Sequence, residues 1–238
     1  SAVIQSIEKA VKYTYNHQAA AIVTNPVCKS TLYSSGFQFP GQTEFLASLN
    51  IHQDIKPVMM LACSTLRVVP VTIHIPVSLI SKTLTAEAII HSGKITAEAL
   101  KIKFGIKCPK LGISSLNPHA GENQSMGTEE VKIIAPAIKS LKDLGIDADG
   151  PYPADTLFHS AARSKFDAII CMYHDQALIP LKTIDFLGGV NITLGLDFIR
   201  TSPDHGTAFD IAGKGISDAS SLIQATCIAS QMKASQRL

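Results

Sequence analysis

Apolar positions along the chain follow two patterns that alternate from end to end. The chain opens with helical spacing, which places apolar residues on one face from Ile4 to Tyr15. Short β-rich runs bounded by proline, glycine or polar residues come next and recur along the sequence. These runs predict strands over Ala20–Thr24, Val58–Ala62, Val68–Ile75, Leu111–Leu116, Asp167–Tyr173 and Val190–Leu194.

Helical segments separate the predicted strands. They are expected over Lys29–Ser35, Thr83–His91, Lys94–Phe104, Thr128–Gly145, Ala154–Arg163 and Ser217–Met232. In the helix after Thr128, Glu129 and Glu130 lie in the first turn, where their negative charges interact favourably with the helix dipole. The apolar stripe of this helix starts at Val131. Strands that alternate with helices, without repeats or low-complexity linkers, predict an α/β fold with a largely parallel sheet or a pair of such sheets.

The composition narrows the class of protein. With 238 residues, 46% of them hydrophobic, the chain has enough core for one large or two small domains. A net charge of +2 points to neither a nucleic acid nor an anionic membrane as partner, and no apolar stretch reaches membrane-spanning length. Five scattered cysteines without a CxxC pair indicate the reduced thiols of a cytoplasmic protein.

Three histidines, His74, His119 and His174, stand at or just after the ends of predicted strands. Ligands of open α/β sheets collect at the carboxyl ends of the strands, where three imidazoles could hold a divalent metal and leave a position open for substrate. Asp175 could orient the ring of His174 or another ligand. The alternative for each histidine is a hydrogen-bonded core position, and it applies most strongly to His74.

A second group consists of Lys182, Asn191 and Arg200, whose plainest interpretation is solvated surface. Against that interpretation, Asn191 lies in a β-branched strand where its amide needs a partner, and Arg200 precedes two hydroxyl residues. That combination suits a phosphate or carboxylate. Small residues from Asp204 to Gly215 would let a planar or phosphorylated ligand approach the backbone, although such turns are common. No GxGxxG or P-loop motif follows a strand, so any dinucleotide binds without those turns.

Taken together, these segments resemble the 4-hydroxythreonine-4-phosphate dehydrogenases of vitamin B6 synthesis, the PdxA family. The resembling stretches keep the family's order over nearly the whole chain, namely Thr24–Lys29, Pro40–Phe45, Leu116–Glu122, Asp149–Thr156, Tyr173–Gln176 and Gly189–Ala208. The resemblance implies a two-domain α/β/α fold of the isocitrate and isopropylmalate dehydrogenase type, with its first domain truncated at the N-terminus. Residues 1–24 and 185–238 would form the incomplete cofactor-side domain. Residues 25–184 would form the central metal, substrate and dimerisation domain.

The resemblance also implies roles for individual residues. The metal ligands would be His74, His119 and His174, one of them supplied by the other subunit of a homodimer. The substrate contacts would be Gln42, Thr43, Lys182, Asn191 and Arg200. NAD or NADP would lie near Asn191, His205, Gly206, Thr207, Asp210 and Gly213. Catalysis and proton transfer would involve Asp155, Asp175 and Lys182.

The implied reaction is the NAD-dependent oxidation of 4-phosphohydroxy-L-threonine with Zn, Mg or Co. The 3-keto acid then loses carbon dioxide to give 3-amino-2-oxopropyl phosphate. The family usually has histidine at the position of Gln42, which leaves open a dehydrogenase for another phosphorylated hydroxy acid. The family also has a segment before the equivalent of Ser1, so we expect either a fragment or a shortened protein with an uncovered sheet edge.

That expected missing segment leaves open a third hypothesis, a metal and phosphate-ligand binding protein without turnover. A metal-dependent phosphatase would share the ion and the basic anion site. It would need no NAD, so nicotinamide binding distinguishes the two.

Overall fold

The computed structural model describes residues 2–34, 36–52 and 55–236. Its helices are α1 (Ala2–Tyr15), α2 (Lys29–Ser34), α3 (Gln42–Ser48), α4 (Ile80–Thr83), α5 (Ala86–Lys103), α6 (Ala135–Asp143), α7 (Ala154–Leu157), α8 (Ser160–Arg163), α9 (His174–Ile184) and α10 (Ser220–Ser235). Its strands are β1 (Ile22–Val23), β2 (Val58–Cys63), β3 (Leu66–Thr72), β4 (Lys110–Ser114), β5 (Asp147–Tyr152), β6 (Ala168–Tyr173), β7 (Val190–Leu194) and β8 (Arg200–Pro203). Ser35, the predicted end of the second helix, lies outside the described residues.

The chain forms two compact units, residues 1–59 with 187–238 and residues 60–186. Residues 25–59 therefore belong with the chain ends, whereas the resemblance placed them in the central domain. The physical reason is hydrophobic: Leu32 and Phe45 are buried in one cluster with Ile7 of α1. Burial of such side chains against α1 ties this segment to the first unit.

The first unit is built around three strands in the order β1-β8-β7. Strands β1 and β8 are parallel, with Ile22 opposite Arg200, while β7 runs antiparallel to β8. Helix α10 packs on this sheet, and Thr201 donates a hydrogen bond of 2.9 Å from its hydroxyl to the carbonyl of Ala225. These contacts hold the start of β8, which carries Arg200, inside the unit.

The second unit contains five strands in the order β2-β3-β6-β4-β5. Strands β2 and β3 form an antiparallel pair, whereas β3, β6, β4 and β5 are parallel. Because β3, β6, β4 and β5 run in the same direction, their carboxyl ends meet at one edge of the sheet. The prediction of an α/β fold with a largely parallel sheet is confirmed. Within the described residues, no helix is both long enough and apolar enough to cross a membrane.

Helix α5 differs from the prediction of two helices separated at Gly93. It is one helix of 18 residues in which Gly93 is buried. A Cβ atom at this position would lie 2.8 Å from both terminal carbons of Leu141 in α6. The glycine therefore permits close packing of two helices rather than ending one of them.

The helix predicted after Thr128 begins as a π-helix, Glu130–Ile134, before it continues as α6. Because a π turn contains an extra residue, it shifts the faces that the following side chains present. Val131, predicted to start the apolar stripe, is exposed, whereas Glu130, which lies in the first turn as predicted, is buried. The stripe holds from Ile134 onward.

Candidate active site

Two of the three candidate metal ligands meet at the carboxyl ends of β3 and β6. The parallel register sets Thr72 opposite Tyr173. His74 follows two residues after Thr72, and His174 follows directly after Tyr173 as the first residue of α9. The centroids of the two imidazole rings are 5.7 Å apart. The strand register thus brings together residues that are one hundred positions apart in the sequence.

These rings border a small cavity of about 120 Å³ whose lining includes Thr72, Tyr173 and Asp175. A carboxylate oxygen of Asp175 lies 2.7 Å from Nδ1 of His174. An ionised carboxylate only accepts hydrogen bonds, so Nδ1 is the nitrogen that donates; in the neutral imidazole, Nε2 then keeps its lone pair. This orientation would allow His174 to bind a metal or accept a proton through Nε2.

His119, the third predicted ligand, follows β4 in a loop of unusual backbone geometry. All six residues from His119 to Gln124 have positive φ angles, between 37° and 78°. Across residues 2–34, 36–52 and 55–236, no three His, Cys, Asp or Glu side chains are gathered to hold an ion. One chain thus brings two of the predicted metal histidines together, and the three-histidine site stays a prediction.

Buried side chains join the strand ends that carry the histidines. Thr72 donates from its hydroxyl to the carbonyl of Met172 over 2.8 Å, which links β3 to β6. Gln176 accepts from the Met172 amide and donates to the Ser115 carbonyl, both over 2.7 Å, which links β6 to the end of β4. Sequence reasoning missed the role of Gln176, because its partners Met172 and Ser115 lie at the ends of different strands and helix α9 was not predicted.

The first unit contains a buried cation. The Arg200 side chain is 4% exposed and donates to the hydroxyls of Thr193 and Thr24 over 3.0 and 2.8 Å. It also donates to Oε1 of Gln42, the first residue of α3, over 2.9 Å. All three acceptors are neutral, and its Nε has no hydrogen-bond partner. Burial lowers the pKa of the Arg200 guanidinium to about 10, so at neutral pH it remains a cation suited to an anionic ligand.

A wider cavity of about 440 Å³ lies in the same unit. It is lined by residues 25–29, Gln42, Ser202, Pro203 and residues 205–207. One predicted substrate contact, Gln42, therefore shares a cavity with three predicted cofactor residues, His205 to Thr207.

The thiol of Cys28 also lines this cavity. Hydrogen bonds from the Ser30 and Thr31 hydroxyls lower the pKa of this thiol to about 7.

The remaining candidate residues fall in both units. Asn191 lies in β7 opposite Ser202, and Thr43 is the second residue of α3. Asp210 and Gly213 are exposed in the loop that follows β8. In the second unit, Asp155 is in the first turn of α7, and the Lys182 ammonium lies 5.2 Å from the Phe186 ring centroid. Of the described residues that line the histidine cavity, none is Asp155 or Lys182.

Comparison with known proteins places this geometry in a family. The model of the pyridoxal phosphate biosynthetic protein PdxA matches residues 1–229. The chain belongs to the PdxA family. A 4-hydroxythreonine-4-phosphate dehydrogenase from Caulobacter vibrioides is 53% identical over 236 residues, which cover 98% of this chain and 71% of that protein. The chain is therefore an oxidoreductase of pyridoxal phosphate biosynthesis.

Solved structures agree with this assignment. A 4-hydroxythreonine-4-phosphate dehydrogenase from Klebsiella pneumoniae superposes with a TM-score of 0.89 at 38% identity, over 97% of this chain and 70% of that one. An isocitrate dehydrogenase from Methylococcus capsulatus gives 0.53 at 13% identity, over 90% of this PdxA chain and 70% of its own. The second likeness concerns the fold alone, and it confirms the expected dehydrogenase-like fold class.

Proposed function

We propose that the chain oxidises the secondary hydroxyl of 4-phosphohydroxy-L-threonine with NAD and a divalent metal. The hydride leaves C3 for the nicotinamide ring and the hydroxyl proton leaves to a base, which gives NADH and a 3-keto acid. That acid loses carbon dioxide, and protonation of the enolate gives 3-amino-2-oxopropyl phosphate. The observation that carries the proposal is the pairing of His74 with His174 at two parallel strand ends, in a chain related to dehydrogenases named for this substrate.

The donor set of the histidine cavity fits an ion of the zinc or cobalt type. Imidazole nitrogens suit these metals, whereas magnesium prefers carboxylate and water oxygens. Asp175 supports the assignment because its contact with Nδ1 of His174 leaves Nε2 as the ligand atom. When bound, the ion supplies Lewis acidity that lowers the pKa of a substrate hydroxyl and offsets developing negative charge.

We assign the third ligand to the partner subunit's His119, in a homodimer whose site is shared. A catalytic zinc site uses three protein ligands. His74 and His174 provide two of them, and the nearby carboxylate of Asp175 contacts Nδ1 of His174. Within the described residues of one chain, no three His, Cys, Asp or Glu side chains are arranged to hold an ion. A second copy of the chain would complete the set.

Arg200 is assigned to an anionic part of the substrate. A buried cation whose partners are all neutral keeps its full charge for a phosphate or carboxylate ligand. Thr43, Lys182 and Asn191 are assigned to the remaining substrate contacts. NAD, or NADP, is placed beside Asn191 and along the loop that includes His205, Gly206, Thr207, Asp210 and Gly213; the first three of these loop residues line the wider cavity.

Proton transfer is assigned among Asp155, Asp175 and Lys182. Asp175 is held by His174, which favours an orienting role for this carboxylate. That leaves Asp155 and Lys182 as the candidate groups that accept the hydroxyl proton and return one to the enolate carbon.

The test of the metal assignment is the metal content of purified variants. His74→Ala and His174→Ala should each lose bound zinc while keeping the parent's circular dichroism spectrum. His159→Ala, which removes an exposed imidazole from the same unit, is the matched control and should retain zinc. Parent-like zinc content in both cavity variants would refute the assignment.

A second candidate function is the oxidation of another phosphorylated hydroxy acid. Gln42 favours it, because this neutral amide contacts Arg200 where the resembling family usually has histidine. A panel of phosphorylated hydroxy acids, assayed with the parent and with Gln42→His, separates the two functions. A higher kcat/KM for another acid in the parent, reversed by the substitution, would favour the second candidate.

A further inference from the structure

Glu130 is a buried carboxylate with no part in the proposed chemistry. Its side chain is 4% exposed, and no lysine, arginine or histidine of the described chain forms an ion pair with it. Its Oε1 accepts from the backbone amides of Leu116 and Asn117 over 2.9 and 2.8 Å. Its Oε2 accepts from the Asn117 side-chain amide over 3.0 Å. The negative charge is thus stabilised by three N–H donors.

All three donors come from the two residues that open the His119 loop. The Asn117 side chain also donates to Glu129 over 2.8 Å. Glycines allow the loop to close tightly around these groups. A Cβ on Gly121 would lie 2.7 Å from Oε2 of Glu130, and one on Gly127 would lie 2.2 Å from the Asn117 side-chain nitrogen. The carboxylate is therefore enclosed by the loop that it anchors.

The loop needs such an anchor because its backbone is in an unfavourable conformation. Residues 119–124 all have positive φ, and only Gly121 among them lacks a Cβ. Every other residue of the run carries the steric penalty of the left-handed region. Such a run persists only when surrounding contacts determine it. Glu130 supplies contacts of this kind at the entry to the run, and its side chain is buried in the first turn of the π-helix Glu130–Ile134.

We propose that Glu130 is a positioning residue that holds the left-handed loop so that His119 is presented as a metal ligand. The proposal rests on the proposed function, in which His119 binds the ion. Groups that orient a metal ligand typically change metal affinity by about 10- to 100-fold when they are removed. A role in positioning therefore predicts a loss of affinity without direct contact between Glu130 and the ion.

The test uses the full chain in its native oligomeric state, with Co²⁺ as the probe. Glu130→Ala should weaken Co²⁺ binding by at least about tenfold. It should also shift the visible Co²⁺ spectrum in the direction given by His119→Ala. Amides 116–126 should exchange hydrogen faster than in the parent. Glu130→Gln, which keeps one acceptor oxygen, should show a smaller effect and covers the case in which the alanine variant does not fold. Glu129→Gln is the matched control, because Glu129 also accepts from the Asn117 side chain, whereas the backbone amide of Leu116 donates to Glu130.

The outcomes separate this proposal from the proposed function. If His119→Ala weakens binding while the Glu130 variants keep the parent's affinity, spectrum and exchange, the positioning role is overturned. If His119→Ala itself binds Co²⁺ like the parent, the metal assignment fails and the positioning role falls with it. Hydrogen exchange then still reports whether Glu130 holds the loop.

Discussion

Arg200 donates a hydrogen bond of 2.9 Å to Oε1 of Gln42, so a neutral amide stands beside a buried cation. Replacing the amide by a carboxylate would supply a counter-charge. We expect Gln42→Glu to raise the thermal midpoint and to weaken binding of the phosphorylated substrate at least about tenfold, because Arg200 would already be paired. Calorimetric titration and thermal unfolding check both effects. Gln38→Glu adds the same charge at an exposed site and should change neither the thermal midpoint nor the affinity for the substrate. Parent-like substrate affinity in Gln42→Glu would contradict the role of Arg200.

Cys28 should react with iodoacetamide at lower pH than an ordinary cysteine. The thiolate is the reactive form, and hydrogen bonds lower the pKa of this thiol to about 7. Its alkylation rate should therefore be half-maximal near pH 7 and rise through neutrality. Because Cys28 lines the cavity with Gln42, substrate should slow the reaction. Mass spectrometry of the labelled peptide measures the rate, with Cys28→Ser as control. A midpoint above pH 8 would contradict the hydrogen-bonded thiol.

Gln176 should stabilise the second unit by joining two strand ends. Gln176→Met keeps most of the side-chain volume but leaves the Met172 amide and the Ser115 carbonyl without this partner. We expect the free energy of unfolding to fall by about 1–3 kcal/mol. Urea unfolding measures the difference, and Gln231→Met on the exposed face of α10 is the control. Equal stability of both variants would show that the link is dispensable.

Gly93 should resist the substitution that usually stabilises a helix. In a helix interior, replacing glycine by alanine normally raises the free energy of unfolding by about 1 kcal/mol. Here its methyl group would lie 2.8 Å from Leu141, so Gly93→Ala should instead destabilise by about 1–3 kcal/mol. The double variant with Leu141→Ala should lose less stability than the sum of the two single variants. Strict additivity in urea unfolding would contradict the close packing of α5 and α6.

Most helices and strands could be predicted from the sequence where the hydrophobic pattern of the element agrees with the burial of its side chains. The strand Val190–Leu194 was placed with correct bounds, because it is a β-branched run in a buried position. Helix α9 and strand β5 were missed for a common reason. Pro180 stands inside α9, and Pro151 stands inside β5. Proline usually marks a boundary, and only tertiary contacts keep an element intact around it.

Part of the candidate active site could also be predicted from the sequence. A histidine after an apolar run indicates a strand end, so His74 and His174 could be proposed from spacing, but only the parallel register of β3 and β6 brings their rings together. The neutral acceptors around Arg200 come from Thr24 just after β1, from α3 and from β7, and no local pattern connects them. Glu130 lies in the first helical turn as predicted, but its burial could not be predicted because a π turn has no sequence signal.

The most direct test of the central claim is NADH formation from 4-phosphohydroxy-L-threonine and NAD, followed by absorbance at increasing metal concentrations. We predict turnover with added zinc or cobalt, its loss with a chelator, and its restoration by metal. His159→Ala should behave like the parent and His174→Ala should not respond to metal. Turnover that survives thorough chelation, or that is equal in His174→Ala and the parent, would contradict a metal-dependent dehydrogenase built on these histidines.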